Sequence, residues 1–237
     1  EAYNNLGVIL KELNRLDEAE ASFRQAINLK SDYAEVCYNL GIILKELSRL
    51  DEAEASLRQA IVLKPDYAEA HNNLGVALQE LVKLDEAEAS YRQAIVLKPD
   101  YTEAHNNLGT TLKELGRLDE AEASYRQAIA LKSDYAEAHS NLGNTLKELG
   151  RLDESEANYR QAIALKPDYA EAHSNLGVTL QELLKLDEAE ESCRQAIVLK
   201  PDHAKAHYNL GIILKELGRL DEAEVSFRQA ITKKEAQ

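Results

Sequence analysis

The sequence contains no methionine and no tryptophan, and only two cysteines and four prolines among 237 residues. It has no apolar run near the roughly 18 residues that a membrane-spanning helix needs, which excludes a membrane partner of that kind. It opens on Glu1 without a signal-like stretch. The chain therefore reads as a segment or a processed product, from which a targeting signal could have been removed. Basic residues are scarce relative to acids, 28 Lys and Arg against 42 Asp and Glu, for a net charge of −14. Nucleic-acid partners need clustered cations, so none is expected. Cys37 and Cys193 are too few and too distant for a disulfide framework. They read as buried, reduced thiols, and the expected location is cytoplasmic.

What is present is a period. Glycines stand at Gly7, Gly41, Gly75, Gly109, Gly143, Gly177 and Gly211, each 34 residues after the last and each ending an Asn-Leu-Gly tripeptide. Self-similarity at a fixed period decides architecture before any local reading does. The repeats run 1–33, 34–67, 68–101, 102–135, 136–169, 170–203 and 204–237, with no insertion, so the expectation is one array over 1–237. Positions within a repeat are called slots 1 to 34. Slot 1 is Ala34, Ala68 or Ala204, for example, and the first repeat lacks it.

Each repeat carries two helical patterns. Apolar residues fall at slots 3, 7, 10, 11 and 14 (Ala70, Leu74, Ala77, Leu78, Leu81) and at slots 20, 24, 27, 28 and 30 (Ala87, Tyr91, Ala94, Ile95, Leu97). That spacing is helical rather than alternating. Neither helix is long enough to stand alone, so neighbours must stack to bury the stripes. Pro65, Pro99, Pro167 and Pro201 follow the second helix and stop it. Gly116, Gly150 and Gly218 lie between the helices, where a left-handed residue closes the first one; Val82 and Leu184 occupy that same slot 15. Asp66 with Glu69, and Asp85 with Glu88, have the spacing of N-terminal capping pairs.

The small pair at slots 8 and 20 (Gly75, Ala87), the aromatic at slot 24 (Tyr91), Ala94 at slot 27 and Pro99 at slot 32 resemble the tetratricopeptide repeat along the whole chain. The resemblance implies an all-α, right-handed superhelical solenoid of seven helix-turn-helix repeats, with one side of the first helix lining a concave surface. It also implies a protein-interaction scaffold that binds extended peptides. The pattern departs from the family at slot 4, where the usual aromatic survives only as Tyr3 and is otherwise Cys37, His71, His105, His139, His173 or His207.

Of the 42 acids, 40 sit in slots 2, 13, 18, 19, 21 and 33, which assigns most of the negative charge to helix ends rather than to a ligand. The side of the first helix opposite its apolar stripe centres on slots 5, 9 and 12. Slot 5 holds Tyr38, Asn72, Asn106 and Tyr208, and slot 9 holds Val76 and Asn144 among others. Slot 6 is asparagine in every repeat: Asn5, Asn39, Asn73, Asn107, Asn141, Asn175 and Asn209. A carboxamide donates and accepts, so such a ladder can pair with the backbone of an extended peptide without reading its side chains. It is similar to the asparagine ladder in the tetratricopeptide region of O-linked N-acetylglucosamine transferases. The alternative is architectural, with each asparagine bonding a neighbouring helix. The carboxylate-clamp branch of the family needs Lys at slot 5 and cations at slots 2 and 6; only Lys205 matches, so that branch is excluded.

The five slot-4 histidines stand one repeat apart, with no partner at metal-ligand spacing, and read as packing residues. No phosphate loop or nucleophile motif is present, so no cofactor, metal or catalytic residue is expected. A second reading makes the chain the substrate-recruiting region of a larger enzyme, such as a glycosyltransferase. Phe227, Ala230 and Ile231 near the end of the last repeat carry the apolar pattern with no further repeat after them, so weak end-to-end self-association is expected.

Overall fold

The computed structural model describes residues 1–235; Ala236 and Gln237, the last positions of the 204–237 repeat, lie outside the described residues. Among the described residues there are fourteen helices and no strand. They group into two compact units, 1–117 and 118–237. The first unit holds α1 (Ala2–Glu12), α2 (Leu16–Leu29), α3 (Ala34–Glu46), α4 (Leu50–Leu63), α5 (Ala68–Glu80), α6 (Leu84–Leu97) and α7 (Thr102–Glu114). The second holds α8 (Leu118–Leu131), α9 (Ala136–Glu148), α10 (Leu152–Leu165), α11 (Ala170–Glu182), α12 (Leu186–Leu199), α13 (Ala204–Glu216) and α14 (Leu220–Glu235).

Within each unit every helix packs on the next, as expected for stacked tetratricopeptide-like pairs. The first helices of consecutive repeats also touch: α1 on α3, α3 on α5 and α5 on α7 in one unit, α9 on α11 and α11 on α13 in the other. No such contact joins the second helices among the described residues. The first-helix side is therefore the narrower side of each unit, and the second helices fan out behind it.

The small and large slots explain why the pairs close. Tyr91 lies fully buried against Gly75, where an added Cβ would stand 2.6 Å from the ring. Only hydrogen fits there, so the two helices approach closely and the whole ring is removed from water, contributing about 2–3 kcal/mol. The next repeat then seals the pair. Phe23 and Ala26 of α2 share one cluster with Val36 and Leu40 of α3, and Tyr159 and Ala162 of α10 share another with Ala172 and Leu176 of α11.

The turn between paired helices is a Schellman motif. The N–H of Lys83 reaches the carbonyl of Leu78 at 2.8 Å, and that of Val82 reaches Gln79 at 2.9 Å. This places slot 15 at positive φ: 75° at Gly116, but also 60° at Val82 and 61° at Leu184. The capping pairs are a correction. The first helices start from Tyr33, Tyr67, Tyr101, Tyr135, Tyr169 or His203, and α2, α4, α6, α10 and α12 start from Arg or Lys, with no side-chain cap bond at any of them. The first helices begin one residue later than a capping Asp66 would need, and the second helices begin two residues earlier than a capping Asp85 would need. Asp85 and Glu86 lie in the first turn instead, where they favour the positive end of the helix.

Candidate functional site

The more open side of the first helices is the line of slots 2, 6, 9 and 13, spaced by four, three and four residues so that they share one face, although Asn175 and Asn209 at slot 6 are themselves buried. In α5 this line reads Glu69, Asn73, Val76, Glu80, with the first three half-buried and Glu80 exposed. In α3 it reads Glu35, Asn39, Ile42, Glu46, and in α11 Glu171, Asn175, Val178, Glu182. Slot 5 does not belong to it. Asn72 and Asn106, expected in the groove, are only 6% and 8% exposed; Tyr38 is half-buried and Tyr208, at 53%, is open. Ser140 and Ser174 in the same slot are also buried. The reason is that the following repeat reaches over slot 5.

That reach is made by the slot-6 asparagines. Asn39 Nδ2 donates to Asn4 Oδ1 at 3.1 Å, Asn73 to the Tyr38 hydroxyl at 3.2 Å, Asn107 to Asn72 Oδ1 at 3.2 Å and Asn209 to the Ser174 hydroxyl at 3.2 Å. Asn175 reaches slot 9 of the preceding repeat, Asn144 Oδ1, also at 3.2 Å. Each bond crosses one repeat junction. Asn5 is exposed, and Asn141 is half-buried. A carboxamide has two N–H groups and two acceptor lone pairs, so one bond to the neighbour fixes the group without using it up. Asn73 also donates to its own Glu69 carbonyl, and its oxygen lies 3.5 Å from Lys45 Nζ.

Tyrosines flank the line. Tyr38 and Tyr67 stack at 4.9 Å, and Lys64 and Lys98 sit 4.5 and 4.7 Å above the rings of Tyr67 and Tyr101. Burial pushes the Tyr67 and Tyr101 hydroxyls up to about 12, so both stay protonated donors at neutral pH.

Two ladders were not read from the sequence. Four slot-4 histidines place Nε2 within 3.2 Å of the carbonyl six residues back, as in His105 to Pro99 at 3.0 Å; His139 does so to Ser133 at 3.4 Å. A carbonyl only accepts, so Nε2 carries the hydrogen and the ring staples the loop to the following helix. The second ladder is ionic. The slot-21 glutamate takes a cation from slot 25 of its own helix and one from slot 16 of the next repeat. Glu88 binds Arg92 at 2.8 Å and Arg117 at 2.6 Å; Glu190 binds Arg194 and Arg219. Burial alone would raise the Glu88 carboxyl, but hydrogen bonds from Arg92 and Arg117 hold it below its ordinary value. These acids therefore act as inter-repeat links. The signal was the constant basic residue at slot 16 opposite a constant Glu at slot 21.

Cys37 and Cys193 are buried free thiols. Among the described residues no group of three His, Cys, Asp or Glu could hold a metal ion, and no helix is long and apolar enough to cross a membrane.

Models of the tetratricopeptide repeat match residues 1–33, 38–102, 90–123 and 168–236, and a further repeat model of the same family matches 109–150 and 143–183. The chain belongs to the tetratricopeptide repeat family. Members of this family are protein-interaction modules, and the stacked pairs here are of that kind. Among solved structures, YrrB, described as a tetratricopeptide protein with an unusual peptide-binding site, is 26% identical over 78% of this chain and 95% of its own, with a TM-score of 0.63. PilW, a widely conserved type IV pilus biogenesis factor, is 25% identical over 81% of this chain and 90% of its own, with a TM-score of 0.75. A tetratricopeptide repeat protein from Parabacteroides merdae shares the fold at 18% identity, covering 98% of this chain and 92% of its own, with a TM-score of 0.78. No curated protein is matched significantly by the sequence.

Proposed function

We propose that this tetratricopeptide chain is a scaffold that holds an extended peptide segment of a partner protein along the slot 2, 6, 9 and 13 face of its first helices. The observation that carries the reading is the anchoring of the slot-6 asparagines. Asn39 and Asn107 are each oriented by a single bond to the preceding repeat while remaining partly open to solvent. Groups held this way lose little entropy when a peptide backbone arrives. Neighbouring packed helices lie about 8–10 Å apart, and an extended chain advances about 3.3 Å per residue, so one asparagine meets about every third peptide residue. Val76 and Ile42 beside the asparagines offer apolar contact, and the carboxylates at slots 2 and 13 border the stripe. The peptide it fits is therefore apolar or neutral along its centre and basic at its edges. YrrB's described peptide-binding site supports the same use of the fold. The two buried thiols suit a reducing compartment such as the cytoplasm.

The test is a peptide-array screen followed by affinity measurements on two variants. One carries Asn39→Ala and Asn107→Ala; the other carries Val76→Glu, which blocks the stripe and leaves the ladder in place. Each lost hydrogen bond should weaken binding about fivefold. Binding that survives both changes, with helicity retained, refutes this face as the groove. Loss in the Val76 variant alone keeps the groove and makes the asparagines purely architectural.

A further inference from the structure

Near-identical repeats make the molecule its own comparison, and a position where one repeat departs from the rest has a local cause. Slot 5 of the first helices holds Asn72, Asn106, Ser140 and Ser174, all buried. Asn72 and Ser140 lie beside the hydroxyls of Tyr101 and Tyr169, the slot-34 tyrosines that precede the next first helix. Tyr38 is too large for that place. It stands half-buried, its ring 4.9 Å from that of Tyr67 and its hydroxyl accepting the Asn73 amide at 3.2 Å. The other slot-5 tyrosine, Tyr208, packs on Phe227 instead and has Lys205 rather than Glu in slot 2 of its own helix.

Two carboxylates border the Tyr38 ring. Glu35 lies three residues earlier on the same face of α3, and Glu69 approaches from α5. Burial raises the Tyr38, Tyr67 and Tyr101 hydroxyls above their ordinary value, and the nearby Glu69 carboxylate adds to the rise at each. Rings of this row already take cations. Lys30, Lys64 and Lys98 sit 5.6, 4.5 and 4.7 Å from the ring centres of Tyr33, Tyr67 and Tyr101. Among the described residues no lysine sits over Tyr38, and Glu35 has no ion pair. Glu69 has Lys98 at 3.5 Å, longer than the roughly 2.7–2.9 Å of a tight charged hydrogen bond. An aromatic face with acids on both sides is thus left open at one point of the groove.

We infer that this point selects an arginine of the bound peptide, with the guanidinium against the Tyr38 ring and its N–H groups donating to Glu35 and Glu69. The inference rests on the groove reading above and adds which side chain the groove selects and where. Asn39, the next residue of α3, is the asparagine that holds the peptide backbone beside it. Arginine fits better than lysine. Its planar group stacks on an aromatic face while presenting a fork of donors to a carboxylate, and it is less strongly hydrated than an ammonium. A bidentate guanidinium also competes well with the long Lys98 contact for Glu69.

Short random peptides screened on the full chain supply the probes. Each binder is remade with its arginines replaced singly by citrulline, which keeps the planar shape and removes the charge. One arginine per binder should be sensitive, with a loss of about tenfold, and lysine in its place should recover only part of it. Tyr38→Leu, and separately Glu35→Gln with Glu69→Gln, should weaken the arginine peptide by a similar factor and leave the citrulline peptide within about twofold, so the losses do not add. Tyr38→Phe removes only the hydroxyl and should keep the arginine preference. Circular dichroism verifies the fold, and the exposed or half-buried glutamates carry the test if Tyr38→Leu unfolds. Binders that tolerate citrulline everywhere, or whose citrulline loss persists undiminished in the Tyr38 and glutamate variants, overturn the inference. If those binders are still lost in Val76→Glu, the groove stands without its arginine site. A chain that binds no peptide overturns both.

Discussion

Slot 15 offers a test in which the folded contacts barely change and the backbone decides the result. Val82 and Leu184 sit at φ of 60° and 61° with side chains 77% and 82% exposed. An L-residue in the left-handed region costs about 1–2 kcal/mol, and a β-branched residue stands at the upper end. Replacing either by glycine removes that cost and gives back about 0.5–1 kcal/mol through the freer unfolded chain. The largely exposed side chain loses only a few tenths of a kcal/mol of burial. The balance is a gain of about 0.5–1 kcal/mol for Val82→Gly and about 0–0.5 kcal/mol for Leu184→Gly. The reverse change Gly116→Val, at φ 75°, should lose a similar amount in the same motif. Urea unfolding followed by circular dichroism measures all three, with the midpoint moving and the slope unchanged. If Val82→Gly lowers the midpoint, as glycine does inside a helix, the left-handed geometry is not the controlling cost and the reasoning fails.

Gly75→Ala should destabilise its unit by about 1–3 kcal/mol, since the new methyl stands 2.6 Å from the buried Tyr91 ring; Gly143→Ala should cost less, because Tyr159 leaves 3.0 Å. Denaturant midpoints that do not rank the two in this order would refute the packing argument. Acid should weaken the inter-repeat ladder. Lys83 holds the Glu54 carboxyl below its ordinary 4.5, and Glu156 and Glu190 are lowered by their cation partners against the opposing effect of burial. A depressed folded pKa gives stability that is present above pH 4.5 and lost as pH falls through the folded value. The urea midpoint should therefore be level near neutral pH and fall below about pH 4.5, less steeply in high salt. Burial pushes the Cys193 thiol up to about 12. It should resist thiol reagents in the native chain and be labelled only through opening of its unit, at a rate that rises with urea.

Sequence period revealed the fold because every repeat states the same packing rule. The Gly at slot 8 and the large residue at slot 24 are complementary in volume in six repeats, with Cys193 taking the slot against Gly177 in the other, and that recurrence leaves no second solution. Slot 15 was legible for the same reason, since glycine at three positions reported a left-handed residue at all of them. What local spacing could not carry was the relation between repeats. Slot 5 reads as exposed on an isolated helix, yet Asn72 is buried because Asn107 arrives from the next repeat, 35 residues on. Likewise Asp-x-x-Glu has the spacing of a capping pair, but Glu88 belongs to a cation 29 residues away.

The same distinction bears on what the slot-6 asparagine does. Its constancy follows from either role, so recurrence alone cannot choose between peptide grip and joint. The hydrogen bonds show that the joint exists, because four asparagines donate to slot 5 of the preceding repeat whether that slot holds Asn, Tyr or Ser. A joint needs only one donor, and serine's hydroxyl or threonine's would be shorter and cheaper to bury. Asparagine adds a carbonyl and a second N–H, which is what pairing with a peptide backbone requires. The half-buried position of Asn39 and Asn107 is what the proposed second role requires, one neighbour inside the stack and one arriving from outside it, whereas Asn73 already spends both N–H groups on Tyr38 and Glu69.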